Sequence, residues 1–194
     1  ASKGSCFLGG NVAESSGGPK CVKYGTTKDY ILNLEVVLPT GEIIETGANT
    51  LKNSTGYNLT QLMVGSEGTL GIVTKIIVKL LPLPKYDLLM LVPFKSLDEA
   101  CAAVSEVFRA GFTPSAMELM ERDALDWVSK YVQSNVVKLE DNIQAHLLIE
   151  VDGNDMDVLM KEMEAISELM SKYNITDILF AESAAQKSEL WRLR

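Results

Sequence analysis

What this sequence lacks narrows the classes of function open to it. It contains no apolar run of about 20 residues, the length that a membrane-spanning helix needs. Basic residues are too few for a nucleic-acid or anionic-membrane surface, because 18 Lys and Arg stand against 26 Asp and Glu, and the net charge is −8. The basic and then apolar pattern of a secretory signal is also missing. We therefore expect no nucleic-acid partner and no transmembrane segment.

Cysteine and histidine are scarce as well. Cys6, Cys21 and Cys101 form an odd, sparse set, which favours reduced thiols and a cytoplasmic protein. His146 is the only histidine, so no Ser-His-Asp or Cys-His set and no two-histidine metal site can form within this chain. It lies in an alternating apolar segment, where a buried histidine is much more common than a catalytic one. No metal site is predicted.

The carboxylates give no metal signal either. The following residues lack the spacing of a metal-binding loop and are interpreted as helix-start or solvated charges: Glu118, Glu121, Asp123, Asp152, Asp155 and Asp157.

The 194 residues can bury one large core or two small ones, and 46% hydrophobic with 23% charged residues is typical of a globular protein. The best boundary is Pro82-Leu83-Pro84, because two prolines in three residues cannot continue a β-ladder. Four features are predicted before it: loop over residues 1–29, a hairpin over 30–46 turned by Pro39-Thr40-Gly41, a helical turn over 59–63 and a strand over 72–81.

After the boundary, strands and helices alternate. Strands are predicted over residues 88–94, 115–120, 144–151 and 175–181, and helices over 96–110, 122–132, 155–173 and from Ser183 onward. This rhythm predicts a ferredoxin-like α+β layer. Cys101 falls on the apolar stripe of the first of these helices, so it is interpreted as a core thiol and not as a nucleophile.

Residues 64–73 (VGSEGTLGIV) are the most unusual stretch. Gly65, Gly68 and Gly71 recur every three residues and leave a backbone that a ligand can approach closely. Its amides could form a nest for an anion or a ring carbonyl, although Glu67 would repel phosphate and suits a ribose hydroxyl or an amine better. The spacing matches neither G-x-G-x-x-G nor a P-loop. From the residues alone, a glycine-rich turn before a strand is the favoured interpretation.

Gly65-Ser66-Glu67-Gly68-Thr69-Leu70-Gly71-Ile72 closely resembles a signature of FAD-linked oxidases of the vanillyl-alcohol oxidase type. Further matching segments occur upstream in the order and spacing of that family: Gly9-Gly10-Asn11-Val12-Ala13-Glu14, Gly17-Gly18 and Lys23-Tyr24-Gly25. The resemblance covers essentially the whole chain and extends to the D-2-hydroxyacid dehydrogenases: the FAD subunit of glycolate oxidase, D-lactate dehydrogenases and D-2-hydroxyglutarate dehydrogenases.

This resemblance implies an α+β fold, with FAD as cofactor. Residues 1–84 would be the second subdomain of a PCMH-type FAD-binding domain, and residues 85–194 a truncated ferredoxin-like cap. The family's pyrophosphate loop would precede Ala1, and its catalytic residues, a histidine-rich metal and proton-abstraction site, would follow Arg194. The chain is thus expected to be a fragment lacking both ends and inactive by itself. The implied cofactor contacts are Gly9, Gly10, Asn11, Val12, Ala13, Glu67, Gly68, Thr69, Leu70, Gly71, Ile72 and Val73.

The implied reaction is oxidation of a small D-2-hydroxy acid of the glycolate or D-lactate type to a 2-oxo acid by hydride transfer to flavin. Trp191-x-x-Arg194 resembles the family segment that carries a substrate-facing arginine, and Trp191 and Arg194 would share a helix face that Arg192 does not. From the residues alone, a solvated arginine is the favoured interpretation of Arg194.

Two other functions stay open at this point. One is a flavoprotein similar to alkyl-glycerone-phosphate synthase, and the other is a non-enzymatic α+β interaction module. The electron acceptor is open too, as is the choice between a homo-oligomer and a complex with a partner subunit.

Overall fold

The structure is a computed structural model that describes residues 4–133, 137 and 140–194. Its internal contacts divide the chain into two compact units, Ala1–Pro82 and Leu83–Arg194, so the division falls inside the Pro-Leu-Pro segment. Each unit has an antiparallel sheet of its own, with strand orders β2-β1-β3 and β5-β6-β4-β7. The predicted α+β class is confirmed.

The first unit is a small sheet with short helices. Its elements are α1 (Leu8–Glu14), α2 (Cys21–Tyr24), a 3-10 helix (Thr27–Tyr30), β1 (Ile31–Val37), β2 (Ile43–Glu45), α3 (Leu59–Met63) and β3 (Ile72–Val78). The predicted hairpin of β1 and β2 is confirmed, and its turn is closed by the Leu38 amide, which donates to the Glu42 carbonyl at 2.8 Å. Gly41 supplies the positive φ of 85° that this turn requires. Strand β3 pairs with the other edge of β1.

The loop predicted for residues 1–29 is wrong in part. Helices α1 and α2 and the 3-10 helix occupy much of residues 8–30. The sequence gives two weak signals for α1. Gly9 and Gly10 are weak helix formers, and only Val12 is buried, so the helix has no periodic apolar pattern. Val12 packs with Leu34 and Met63 in the core of this unit, so tertiary packing and not local propensity holds the helix.

The second unit is the larger one. Its elements are β4 (Tyr86–Phe94), α4 (Leu97–Arg109), β5 (Ala116–Glu121), α5 (Arg122–Val132), β6 (Ala145–Gly153), α6 (Met156–Met170), β7 (Leu179–Phe180) and α7 (Ala184–Arg192). Without α5, this is a β-α-β-β-α-β chain with the antiparallel order β5-β6-β4-β7, which is the predicted ferredoxin-like arrangement. The last strand, predicted from residue 175, is shorter than predicted. Ile175 is joined to Phe94 only by a single bridge and does not belong to β7.

Helices cover both faces of this sheet. On one face, α4 and α6 pack against the side chains of Ala145, Leu147 and Ile149. On the other face, α5 and α7 pack against Leu148 of the same strand. Because side chains alternate along a strand, β6 contributes to both cores and is buried over residues 145–152.

The interpretation of Cys101 as a core thiol is wrong, because its side chain is exposed. The buried stripe of α4 runs instead through Ala100, Ala103 and Val107. Cys101 directly follows Ala100 and therefore lies about 100° away from it around the helix, outside this stripe.

His146 lies in β6 and is 1% exposed. Its Nδ1 atom has no hydrogen-bond partner among the residues that the structure describes. Burial away from water, with a smaller contribution from the Arg122 charge, lowers the pKa of His146 to about 4. The neutral imidazole is therefore the form that the folded protein favours.

We predict that His146 makes the protein less stable in mild acid. The imidazole takes up a proton near pH 6.5 in the unfolded chain and only near pH 4 in the folded one. The stability that neutral His146 contributes is therefore complete above pH 6.5 and is lost as the pH falls toward 4. Between pH 7 and pH 5 the loss from this one group is about 2 kcal/mol. Urea unfolding of the wild type and of His146→Leu at both pH values measures it, and equal losses in the two proteins would contradict the assignment.

Candidate functional site

The two glycine-rich segments of the first unit lie side by side. The Gly65 amide donates to the Val12 carbonyl at 3.0 Å, and the Glu67 amide donates to the Ala13 carbonyl at 3.0 Å. The loop after α3 is therefore hydrogen bonded to the last turn of α1, where the Val12 carbonyl also accepts from the Ser15 amide. The structure thus brings together the two segments that the resemblance selects as cofactor contacts, residues 9–13 and 67–73.

The backbone of this loop is turned by three residues with positive φ: Gly65 (82°), Glu67 (51°) and Gly68 (78°). The Ser66 amide donates to the Met63 carbonyl, and the amide and hydroxyl of Thr69 both donate to the Ser66 carbonyl. With Gly65 and Glu67, four amides are thus used inside the protein, and the expected nest of free amides is wrong for them. Among the described residues, the Gly68 and Leu70 amides have no partner.

The predicted cofactor contacts differ in accessibility. Exposed members are Gly9, Gly10, Glu67, Gly68, Thr69, Leu70 and Ile72; half-buried ones are Asn11, Ala13 and Val73; buried ones are Val12 and Gly71. A Cβ added at Gly9 or Gly10 would meet no atom within 4 Å. This bare backbone on the surface of α1 leaves room for a planar ring to lie against it. Val12 is 0% exposed and therefore out of reach of a ligand in this conformation, and Gly71 is buried as well.

Gly71 is a glycine for a structural reason. A Cβ at this position would lie 2.6 Å from Val36 Cγ1 and 2.9 Å from the Val37 carbonyl oxygen, both in β1. Gly71 therefore allows the start of β3 to pack closely on β1. At Gly68, by contrast, the nearest atom would be Ile72 Cδ1 at 3.9 Å, so its glycine is required by φ alone.

In the second unit, Ser183 is the N-cap of α7. Trp191 lies near the C-terminal end of this helix, and Arg194 follows shortly after it. Trp191 Nε1 donates to Glu150 Oε2 at 3.0 Å, and Arg194 Nε donates to Glu118 Oε2 at 2.6 Å. Both side chains reach glutamates on the same face of the sheet, but Arg194 lies beyond the end of α7 at Arg192, so a shared helix face stays a prediction. Arg192 is exposed.

Sequence reasoning missed the two carboxylates that receive these side chains. Glu150 is 4% exposed and also accepts a hydrogen bond from the Ser115 hydroxyl at 2.9 Å. The Glu118 side chain is 21% exposed, so its interpretation as a solvated charge is wrong. The signal that could have found them is strand alternation, since Glu118 and Glu150 lie on the same face of the sheet as Met120 and Leu148.

The remaining chemistry of the described residues is sparse. None of their His, Cys, Asp and Glu side chains gather in groups of three or more that could hold a metal ion. Within these same residues, no helix is both long and apolar enough to cross a membrane.

Two family models match this chain. One, described as FAD linked oxidases, C-terminal domain, matches residues 83–194, and another, described as FAD binding domain, matches residues 1–47. The chain belongs to the FAD-linked oxidases. The family whose resemblance was stated from the glycine-rich segments is thereby confirmed, and FAD is its cofactor.

Relatives of this FAD-linked oxidase include a D-lactate dehydrogenase of Anaerostipes hadrus, 40% identical over 190 residues, and glycolate oxidase subunit GlcD of Bacillus subtilis, 38% identical over 187 residues. Both alignments cover 96% of this chain. They cover only 40% and 39% of the relatives, so the chain spans about two fifths of their length.

Solved structures show the same fold. A p-cresol methylhydroxylase superposes with a TM-score of 0.72 at 17% identity, covering 97% of this chain and 41% of that one. An alkyldihydroxyacetonephosphate synthase superposes with a TM-score of 0.69 at 22% identity, covering 96% and 36%.

The two glycines of the loop predict different consequences of substitution. Gly71→Ala should lower the melting temperature markedly, since overpacking against β1 costs about 1–3 kcal/mol. Gly68→Ala has open space around its Cβ, so its loss of about 1–2 kcal/mol comes from the left-handed backbone of the alanine and not from overpacking. Thermal unfolding of the two variants compares them, and a Gly71→Ala protein as stable as wild type would contradict the packing role.

Proposed function

We propose that this chain is part of an FAD-dependent oxidoreductase that oxidises a small D-2-hydroxy acid, of the glycolate or D-lactate type, to the 2-oxo acid. Similarity to a D-lactate dehydrogenase and to a glycolate oxidase subunit over nearly the whole chain carries this proposal. The substrates in these two names share a carboxylate next to a hydroxyl-bearing carbon. A cationic group for the carboxylate is therefore the feature to seek in this chain.

The first unit would hold the cofactor. The bare backbone at Gly9 and Gly10 would lie along the flavin ring, and the exposed loop of residues 67–70 would lie at the nucleotide end. Glu67 suits a ribose hydroxyl there, because a carboxylate accepts a hydrogen bond from a hydroxyl but repels phosphate. Bound there, FAD would supply the acceptor for the hydride of the carbinol carbon, and the hydroxyl proton would go to a base.

The second unit would hold the substrate. Arg194 is the proposed partner of its carboxylate, because a guanidinium grips a carboxylate with two parallel hydrogen bonds and stays charged at working pH. Its side chain is 32% exposed, and its Nε edge is engaged by Glu118. The terminal nitrogens have no protein partner among the described residues, so they are available to a ligand.

In this assignment, the first unit is the C-terminal half of the FAD-binding domain and the second is the cap. The base that takes the hydroxyl proton is proposed to lie outside this chain, because His146 is buried in the sheet and its pKa of about 4 makes it a weak base. A cytoplasmic location is proposed from the sparse cysteines.

The likeness to alkyldihydroxyacetonephosphate synthase is one of fold alone and favours no reaction. A test of whether a hydroxy acid is a substrate distinguishes a synthase of that kind from the proposed enzyme. A non-enzymatic interaction module would bind no flavin at all.

We predict that the flavoenzyme containing this chain is reduced by a D-2-hydroxy acid. Anaerobic mixing with D-lactate or glycolate should bleach the flavin absorbance, and L-lactate is the matched control, since it differs only in the configuration at the carbon that loses hydride. Equal bleaching by both lactates would contradict the D-specific assignment. A yellow protein that no hydroxy acid bleaches would contradict the reaction.

Arg194→Ala should lower kcat/KM for the hydroxy acid by about ten- to a hundredfold or more, since a charge-assisted pair contributes about 1.5–3 kcal/mol. Arg194→Lys should restore only part of it, because an ammonium cannot reproduce the planar fork. Flavin content should stay normal, and Arg192→Ala is the control on the exposed side of α7. If Arg192→Ala is impaired and Arg194→Ala is not, the assignment falls on the wrong arginine.

A further inference from the structure

We propose that Glu118 is a positioning residue for Arg194, which it holds so that the terminal edge of the guanidinium faces the substrate carboxylate. The inference rests on the proposed role of Arg194 and adds a second residue to that site. It is carried by the 2.6 Å hydrogen bond from Arg194 Nε to Glu118 Oε2.

The geometry of a guanidinium makes this contact selective. A carboxylate can be gripped in two parallel hydrogen bonds either at the edge formed by Nε and one terminal nitrogen or at the edge formed by the two terminal nitrogens. Glu118 occupies Nε. A second carboxylate can therefore be gripped only by the terminal pair, which fixes the direction from which it approaches.

Glu118 can hold this position because its own backbone is fixed. It lies in the middle of β5, opposite Leu148 of the buried central strand. A long arginine side chain otherwise samples many rotamers, and ordering it at the moment of binding would weaken substrate affinity. An arginine already ordered by Glu118 avoids that loss.

The chain that carries Arg194 is anchored as well. Leu190 and Leu193 are buried, and the Trp191 indole is held by Glu150 of the neighbouring strand. Two carboxylates from adjacent strands thus hold this segment, Glu150 at Trp191 and Glu118 at Arg194. The bond between Trp191 and Glu150 anchors the segment that leads to Arg194, and Glu118 holds the guanidinium itself.

Steady-state kinetics of the intact flavoenzyme test this role, with D-lactate or glycolate as the probe, whichever bleaches the flavin faster. Glu118→Ala should raise KM about three- to tenfold, as expected when one long side chain must be ordered on binding. Glu118→Gln keeps an oxygen that accepts from Arg194 Nε and should restore most of the affinity. Flavin content and melting temperature should stay near those of wild type. Glu121→Ala, an exposed glutamate at the end of the same strand, is the matched control.

The double variant decides whether Glu118 acts through Arg194. If it does, Glu118→Ala adds no further loss to Arg194→Ala. Additive losses, an unchanged KM in Glu118→Ala with a lower melting temperature, or a KM that falls because Glu118 competes with the substrate would each overturn the proposal. An unchanged KM in Arg194→Ala would overturn the proposed substrate role itself. An impaired Arg194→Ala beside a normal Glu118→Ala would overturn the positioning role alone.

Discussion

Burial of β6 on both faces is the constraint on which the second unit depends. The strand is hydrogen bonded to β4 along one edge and to β5 along the other, so its backbone groups are satisfied without water. Its alternate side chains enter two different cores, one with α4 and α6 and the other with α5 and α7. Buried polar groups in such a strand depend on partners inside the protein: Glu150 has Ser115 and Trp191, whereas His146 Nδ1 has none among the described residues.

Much of this unit could be predicted from the sequence, because its signals are local. Ser96, Asp155 and Ser183 each accept from a backbone amide at the start of a helix, as residues of these types do at N-caps. Pairing between strands is not local, and neither is the choice of small residues such as Ala103 for a core stripe. The exposure of Cys101 and the shortness of β7 follow from those contacts, which the pattern along the chain does not contain.

For the same reason, only part of the candidate site could be predicted from the sequence. The glycine-rich segments have a distinctive order, so their resemblance to FAD-linked oxidases identified the family before any contact was known. What the order could not give is the function of each glycine. Gly71 accommodates a neighbouring strand, while Gly68 provides a left-handed turn. Nor could it give the partner of Arg194, because three helices and two strands lie between Glu118 and Arg194 along the chain.

The two hydrogen bonds between the loop and α1 also bear on motion. The amides of Gly65 and Glu67 are the donors, and carbonyls in the last turn of the helix are the acceptors. Neither segment can then be displaced without breaking bonds to the other, so their thermal fluctuations are coupled. A group bound across both segments would order them together, and this would cost the conformational entropy of one segment instead of two.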